Sequence, residues 1–248
     1  MDADEYVKQL ERDAALFVRA AQFAGLDAVV PSCPRWQVLA LMQHLTRVHH
    51  WATLILGGGD QAAFEFERPT ADEVYAVFAT GVAGLTSSLR EAPDDLDVWT
   101  FAGDKVPKMF WARRMAHETA IHRVDAELAA GMGVTEFDAD FAADGIDELM
   151  LTMAPGRIST KDVPRAFTAT LTPLDSNASW TISVRAGDSA GSYAAMPGAR
   201  DDSDLSVFGL ASDLYRWAWN RAGDDEISLR GDVALADVWR ETLVVGSR

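Results

Sequence analysis

The chain has 248 residues, 48% of them apolar and 24% charged, a balance typical of a soluble globular protein with one large domain or two modest ones. Its formal charge of −16, from 22 basic and 38 acidic side chains, opposes phosphate backbones and anionic lipid surfaces, so neither nucleic acid nor a membrane is an expected partner. Cys33 is the single cysteine, which excludes an intrachain disulfide and a thiolate-rich zinc site.

The first ~155 residues read as helices. Asp4 to Ala24 carries Val7, Leu10, Ala14, Phe17, Val18 and Ala21 at three-and-four spacing, one buried stripe closed by Gly25. After the punctuated segment Pro31 to Trp36, a second helix runs through Val38, Leu41, Leu45, Val48, Ala52 and Ile55 to Gly57-Gly58-Gly59. A third starts at Thr70, an N-cap with Glu73 at the capping-box position, and reaches about Arg90. The fourth begins near Pro107 and ends at Gly131. Four amphipathic helices of this length predict an antiparallel bundle, with a shorter helix from Asp144 to Met153 closing it. Pro155-Gly156 then breaks the pattern.

The remainder changes period. Phe167 to Leu171 and Trp180 to Val184 alternate like strands, and residues 187–202 read as loop and turn. Leu205 to Phe208 and Ile227 to Leu229 are further short strands; Ser212 to Arg221 and Asp232 to Glu241 are helical. The expected fold is α+β in two domains, a helical bundle over 1–157 and a small α/β domain over 165–248. The acidic N-terminus, Met1 to Glu5, lacks the positive start of a signal peptide, and no apolar run reaches the ~18–20 residues of a membrane span. A cytoplasmic location is expected.

All five histidines, His44, His49, His50, His117 and His122, precede Arg123, so imidazole chemistry belongs to the helical part. Glu118 and His122 sit four apart on the fourth helix, one above the other at ~3.6 residues per turn, on the face that carries Met115, Thr119, Ala126 and Ala129. A carboxylate bordering an apolar interior is costly unless paired or bound to a cation, and a carboxylate with an imidazole one turn away can bind a divalent metal. A third ligand must come from the second helix. His44 and His49 flank its apolar stripe on opposite sides and His50 points away; periodicity does not choose between the first two. Two histidines and a glutamate would leave an open position, as in catalytic zinc sites. The H-E-x-x-H reading of His117, Glu118 and His122 fails because histidines five apart diverge around the helix. A surface hydrogen bond is the more common role of a Glu/His pair four apart.

Cys33-Pro34-Arg35-Trp36, then Leu41-Met42-Gln43-His44-Leu45 and Val48-His49-His50-Trp51-Ala52, resemble the start of the maleylpyruvate isomerase-like, mycothiol-dependent family, DinB-like four-helix metalloenzymes. His117 through Glu127 is similar to the family's second signature. Gly209 through Tyr215, Trp219-Asn220-Arg221 and Gly231-Asp232 match its small C-terminal domain, which is sterol-carrier-like. Arg35 departs from the pattern, where relatives often have glycine. The resemblance implies a metal triad of His44, Glu118 and His122, which decides for His44 over His49. It implies Zn²⁺ or another divalent metal, and mycothiol as the attacking thiol of an S-transferase or of a cis–trans isomerase. Arg221 best matches the family's arginine that reaches toward the active site, and Arg113, Arg114 and Arg123 are further candidates for holding a substrate carboxylate. The expected partner is a small electrophile, the expected state a monomer or small homo-oligomer, and the arginine-rich composition fits a GC-rich, actinobacterial source. The competing reading is a non-catalytic metal- or apolar-ligand-binding protein of the same fold. Cys33, in a turn between prolines with no base nearby, is expected to be structural, as are tryptophans at helical spacing such as Trp51, Trp111, Trp217 and Trp219.

Overall fold

A computed structural model of the chain describes residues 1–103, 106–155, 157–158, 160, 162–187 and 192–242. The expected break at Gly156 and positions 188–191 of the expected loop lie outside them. The chain divides into two compact units, Met1–Thr135 and Glu136–Arg248.

Among the described residues the first unit holds four α-helices, α1 (Ala3–Ala24), α2 (Val38–Leu56), α3 (Val74–Glu91) and α4 (Pro107–Ala129). Each forms where the apolar stripe predicts, and the ends follow local chemistry. Asp2 caps α1 with its side chain while Glu5 reaches back to the cap, a reciprocal capping box two residues ahead of the expected start. Gly58, at φ 77°, turns the chain out of α2 in a conformation that side chains with a Cβ resist. α3 starts three residues later than expected, with Glu73 and not Thr70 at its cap: Glu73 accepts from the Thr70 amide and hydroxyl at 3.0 and 2.7 Å, closing a turn that leads into the helix.

The core of this unit joins Phe17 of α1, Leu41, Met42 and Leu45 of α2, and Phe78 of α3, none more than 1% exposed. Burying a side chain of this size is worth ~1.5–3 kcal/mol, which makes the stripes the main determinant of the bundle. Beside them lies a buried polar knot. Arg123 of α4 donates to Asp13 of α1 at 3.1 Å and to Glu127 at 2.8 Å, and Glu127 accepts from the Thr135 hydroxyl at 2.7 Å.

The second unit is α+β. Its five strands, β1 (Phe167–Pro173), β2 (Trp180–Val184), β3 (Tyr193–Pro197), β4 (Leu205–Gly209) and β5 (Ser228–Gly231), form one sheet in the order β3-β2-β1-β4-β5. β1 pairs antiparallel with β2 and parallel with β4; the outer pairs are antiparallel. β3 lies inside the segment read as loop. Helices α5 (Ala139–Glu148), α6 (Ala211–Ala218) and α7 (Leu235–Thr242) complete the unit.

α5, expected as part of the bundle, falls in the second unit. It is followed directly by a π-helical turn, Leu149–Met153, and belongs with the sheet. Phe137 and Phe141 meet the Tyr215 ring of α6 at 5.2 and 6.4 Å, the Phe137 amide donates to the Ser212 hydroxyl, and Trp180 of β2 donates to Asp147 at 2.9 Å. Burying these aromatic rings together outweighs the helical period that α5 shares with the bundle. The division therefore falls after Thr135, not near residue 157.

Candidate metal centre

α2 and α4 bring the three candidate ligands together. His44 follows the buried Leu41 and Met42, and with those side chains fixed in the core its own ring is directed across to α4. Its Nε2 lies 3.2 Å from Glu118 Oε1, and His122 Nε2 lies 3.3 Å from the same oxygen. One ligand atom from each of His44, Glu118 and His122 lies within 4.8 Å of the others. Ligands about 2.0–2.1 Å from a tetrahedral zinc stand roughly 3.3 Å apart, so the donor set fits a divalent cation in both chemistry and span.

The cluster opens on one side. The His44 side chain keeps 28% of its exposure and Glu118 19%, against 9% for His122. The Trp36 ring, just ahead of α2, sits 4.9 Å from the His44 ring and stacks at 6.4 Å on that of His122.

Two of the three candidate ligands, Glu118 and His122, are held from behind. Glu118 Oε2 accepts from Arg114, one turn earlier and almost fully buried, at 2.7 Å. Burial alone would raise the Glu118 carboxyl; hydrogen bonds from His122 and His44 and the charge of Arg114 overcome it and hold the group well below the usual range. His122 donates from Nδ1 to Asp125 Oδ2 at 2.8 Å, and Asp125 is wholly buried. Burial would lower the imidazole, but its bonds to Asp125 and Glu118 win and raise it to about 9. Two flanking carboxylates thus make this position strongly attractive to positive charge, whether proton or metal.

The other histidines stand apart from the cluster. His49 is fully buried and its Nε2 donates to Thr119 Oγ1 at 2.9 Å, a hydroxyl that itself donates to the Met115 carbonyl. Burial pushes it down to about 3, so it is neutral. His50 packs at a tilt against Phe66, and His117 meets Tyr6 edge-on.

The remaining singled-out residues divide clearly. Arg123 is engaged with Asp13 and Glu127, and Arg114 with Glu118. Trp111 is completely buried in a ring cluster with Trp51 and Trp99, and Trp217 stacks on Trp239 at 5.9 Å. Arg221 belongs to the second unit, where it donates to the Trp219 carbonyl at 2.6 Å. Asp125 and Ser32 escaped the sequence reading as parts of the site. The available signal was position: Asp125 follows His122 by three residues, within reach on a helix.

Residues 7–127 match the profile of the mycothiol maleylpyruvate isomerase N-terminal domain, and residues 140–237 that of the MDMPI C-terminal domain. A crystal structure of the mycothiol-dependent maleylpyruvate isomerase superposes with a TM-score of 0.59 at 15% identity, covering 92% of this chain and 93% of that one. A histidine-to-alanine mutant of that enzyme gives a TM-score of 0.63 at 14% identity with the same coverage. A search of curated proteins finds no match. With both domain profiles matched in order and the fold shared over nearly the full length, this chain belongs to the mycothiol maleylpyruvate isomerase family.

Proposed function

We propose that the protein is a divalent-metal-dependent enzyme in which His44, Glu118 and His122 hold the metal, and a low-molecular-weight thiol, mycothiol, attacks a small electrophile. The convergence of these three side chains from two helices on a partly open face carries the reading. A bound divalent cation such as Zn²⁺ lowers the pKa of a thiol delivered to it and so supplies the nucleophile at neutral pH.

The chain's own residues prepare that position. Glu118 stays ionised, and Arg114 fixes its second oxygen so that Oε1 faces both imidazoles. His122 keeps its Nδ1 proton on Asp125, which leaves Nε2 as the donor atom. Two neutral imidazoles and one carboxylate would leave a bound dication with one net positive charge, which suits an anionic sulfur. Trp36 covers one side of the histidine pair and restricts approach to the other. Arg221, the match to the family's arginine, would be the residue to hold a substrate carboxylate. Reversible addition to a cis-enoyl acid, bond rotation and expulsion of the thiol would give isomerisation; stable addition or displacement would give S-transfer.

Elemental analysis of protein purified without chelator, beside His44→Ala, tests the reading. About one zinc per chain in the wild type and none in the variant is the expected result. Incubation with mycothiol and maleylpyruvate or other electrophiles then separates the two chemistries: thiol recovered unchanged with an isomerised acid marks an isomerase, and thiol consumed one-for-one into a thioether marks a transferase. No metal in the wild type even after reconstitution would replace this reading with that of a binding protein.

A further inference from the structure

From Asp125 outward, the metal cluster continues into the segment between α1 and α2. Asp125 is 0% exposed, and each of its two oxygens accepts a hydrogen bond. Oδ2 accepts from His122 Nδ1 at 2.8 Å, and Oδ1 accepts from the Ser32 hydroxyl. Ser32 lies 93 residues earlier in the chain, so this contact exists only because the fold creates it.

The segment that delivers Ser32 is itself pinned. The Val30 amide donates to the Trp36 carbonyl at 2.9 Å, the Cys33 amide to Val30 at 3.0 Å and the Trp36 amide to Cys33 at 2.8 Å. Val29 pairs with Gln37 across its base. The same turn places Trp36 against both histidine rings. A short tied-down turn thus touches the cluster twice, through a hydroxyl on the carboxylate behind His122 and through an indole on the rings themselves.

We infer that Asp125 and Ser32 are positioning residues for the metal: Ser32 orients the Asp125 carboxylate, and Asp125 orients the His122 ring and keeps its proton on Nδ1, so that Nε2 faces the metal position. The inference rests on the proposed ligand set. A carboxylate only accepts hydrogen bonds when ionised, so the Nδ1 partner must be the donor, and the tautomer follows without any choice by the ring. Removing such support behind a ligating histidine weakens metal binding by about 10- to 100-fold. Ser32 acts one step further away, so its loss costs less.

The test measures Zn²⁺ and Co²⁺ affinity by chelator competition in the full chain. The variants are Asp125→Asn, Ser32→Ala, Ser32→Thr and the ligand control Glu118→Gln, with circular dichroism and thermal unfolding recorded on each metal-free protein. Asp125→Asn should bind about 10- to 100-fold more weakly with an altered Co²⁺ visible spectrum, and Ser32→Ala more weakly by a smaller factor. Ser32→Thr, which keeps the hydroxyl, should restore wild-type affinity, and metal-free spectra should coincide. If Glu118→Gln loses the metal while Asp125→Asn and Ser32→Ala bind as the wild type does, the ligands stand and the positioning role falls. If Glu118→Gln binds as the wild type does, the ligand set falls and takes the positioning role with it. Should Asp125→Asn fail to fold, the Ser32→Ala and Ser32→Thr pair decides by the same criterion.

Discussion

His49 and His122 lie on neighbouring helices, are both buried, and are driven in opposite directions. His122 sits between two carboxylates and is raised to about 9, whereas His49 has a hydroxyl for a partner and is lowered by burial to about 3. The second shift has a consequence for stability. Its folded value lies below the ordinary 6.5, so the unfolded chain takes up this proton first. The stabilisation is complete above pH 6.5 and is lost as pH falls toward 3, at up to ~1.4 kcal/mol per pH unit from this one group. Denaturant unfolding of wild type and His49→Gln at several pH values checks it: the wild type should lose stability more steeply between pH 6.5 and 4, and parallel curves would show that His49 does not titrate in this way.

Helices α1 and α4 meet over both apolar side chains and a buried ion network, and the two behave differently under mutation. Arg123 neutralises Asp13 and Glu127, all three with side chains only 1% exposed. Burial raises the Asp13 carboxyl and Arg123 offsets that only in part. Arg123→Met keeps the unbranched stem of the side chain but leaves two carboxylates without their shared cation. Breaking a buried pair from one side typically costs 3–5 kcal/mol, so the variant should show a large drop in unfolding midpoint, measured by denaturant titration at pH 7. A change below about 1 kcal/mol would mean that water or a rearranged side chain takes over the role of Arg123. In the other unit, Gly231 ends β5 at φ 90°, where an added Cβ would stand 2.2 Å from the Asp204 carbonyl oxygen. That close approach of backbone explains why a glycine stands in the Gly231-Asp232 motif.

Across the whole molecule the dominant electrostatic fact is the charge of −16. Self-repulsion of this size opposes compaction and is screened over a Debye length of ~10 Å at 0.1 M salt. Raising sodium chloride from about 10 to about 200 mM at pH 7 should therefore raise the thermal midpoint; an unchanged or lower midpoint would show that local ion pairs, which salt weakens, outweigh the net charge. Among the described residues no helix is long and apolar enough to cross a membrane. Each unit has its own core, the first around Phe17, Leu41 and Phe78 and the second around its sheet and the Phe137, Phe141 and Tyr215 rings.

Helix positions in the bundle, four of the five strands and the pairing of Glu118 with His122 are all readable from spacing, because they depend on neighbours within a turn or a pleat. β3 is not readable: Tyr-Ala-Ala-Met-Pro has weak strand preference, and the segment becomes a strand because the edge of β2 offers it hydrogen bonds. The choice of His44 over His49 follows from the family resemblance but not from periodicity, since both flank the same stripe. Their roles depend on what α4 presents at each level, Glu118 to one and Thr119 to the other. Asp125 shows the same limit. Tertiary packing sends Arg123 to Asp13 on α1 and brings Ser32 to Asp125 from 93 residues away. Local periodicity determines which residue types share a helix face; only the arrangement of the helices decides what that face meets.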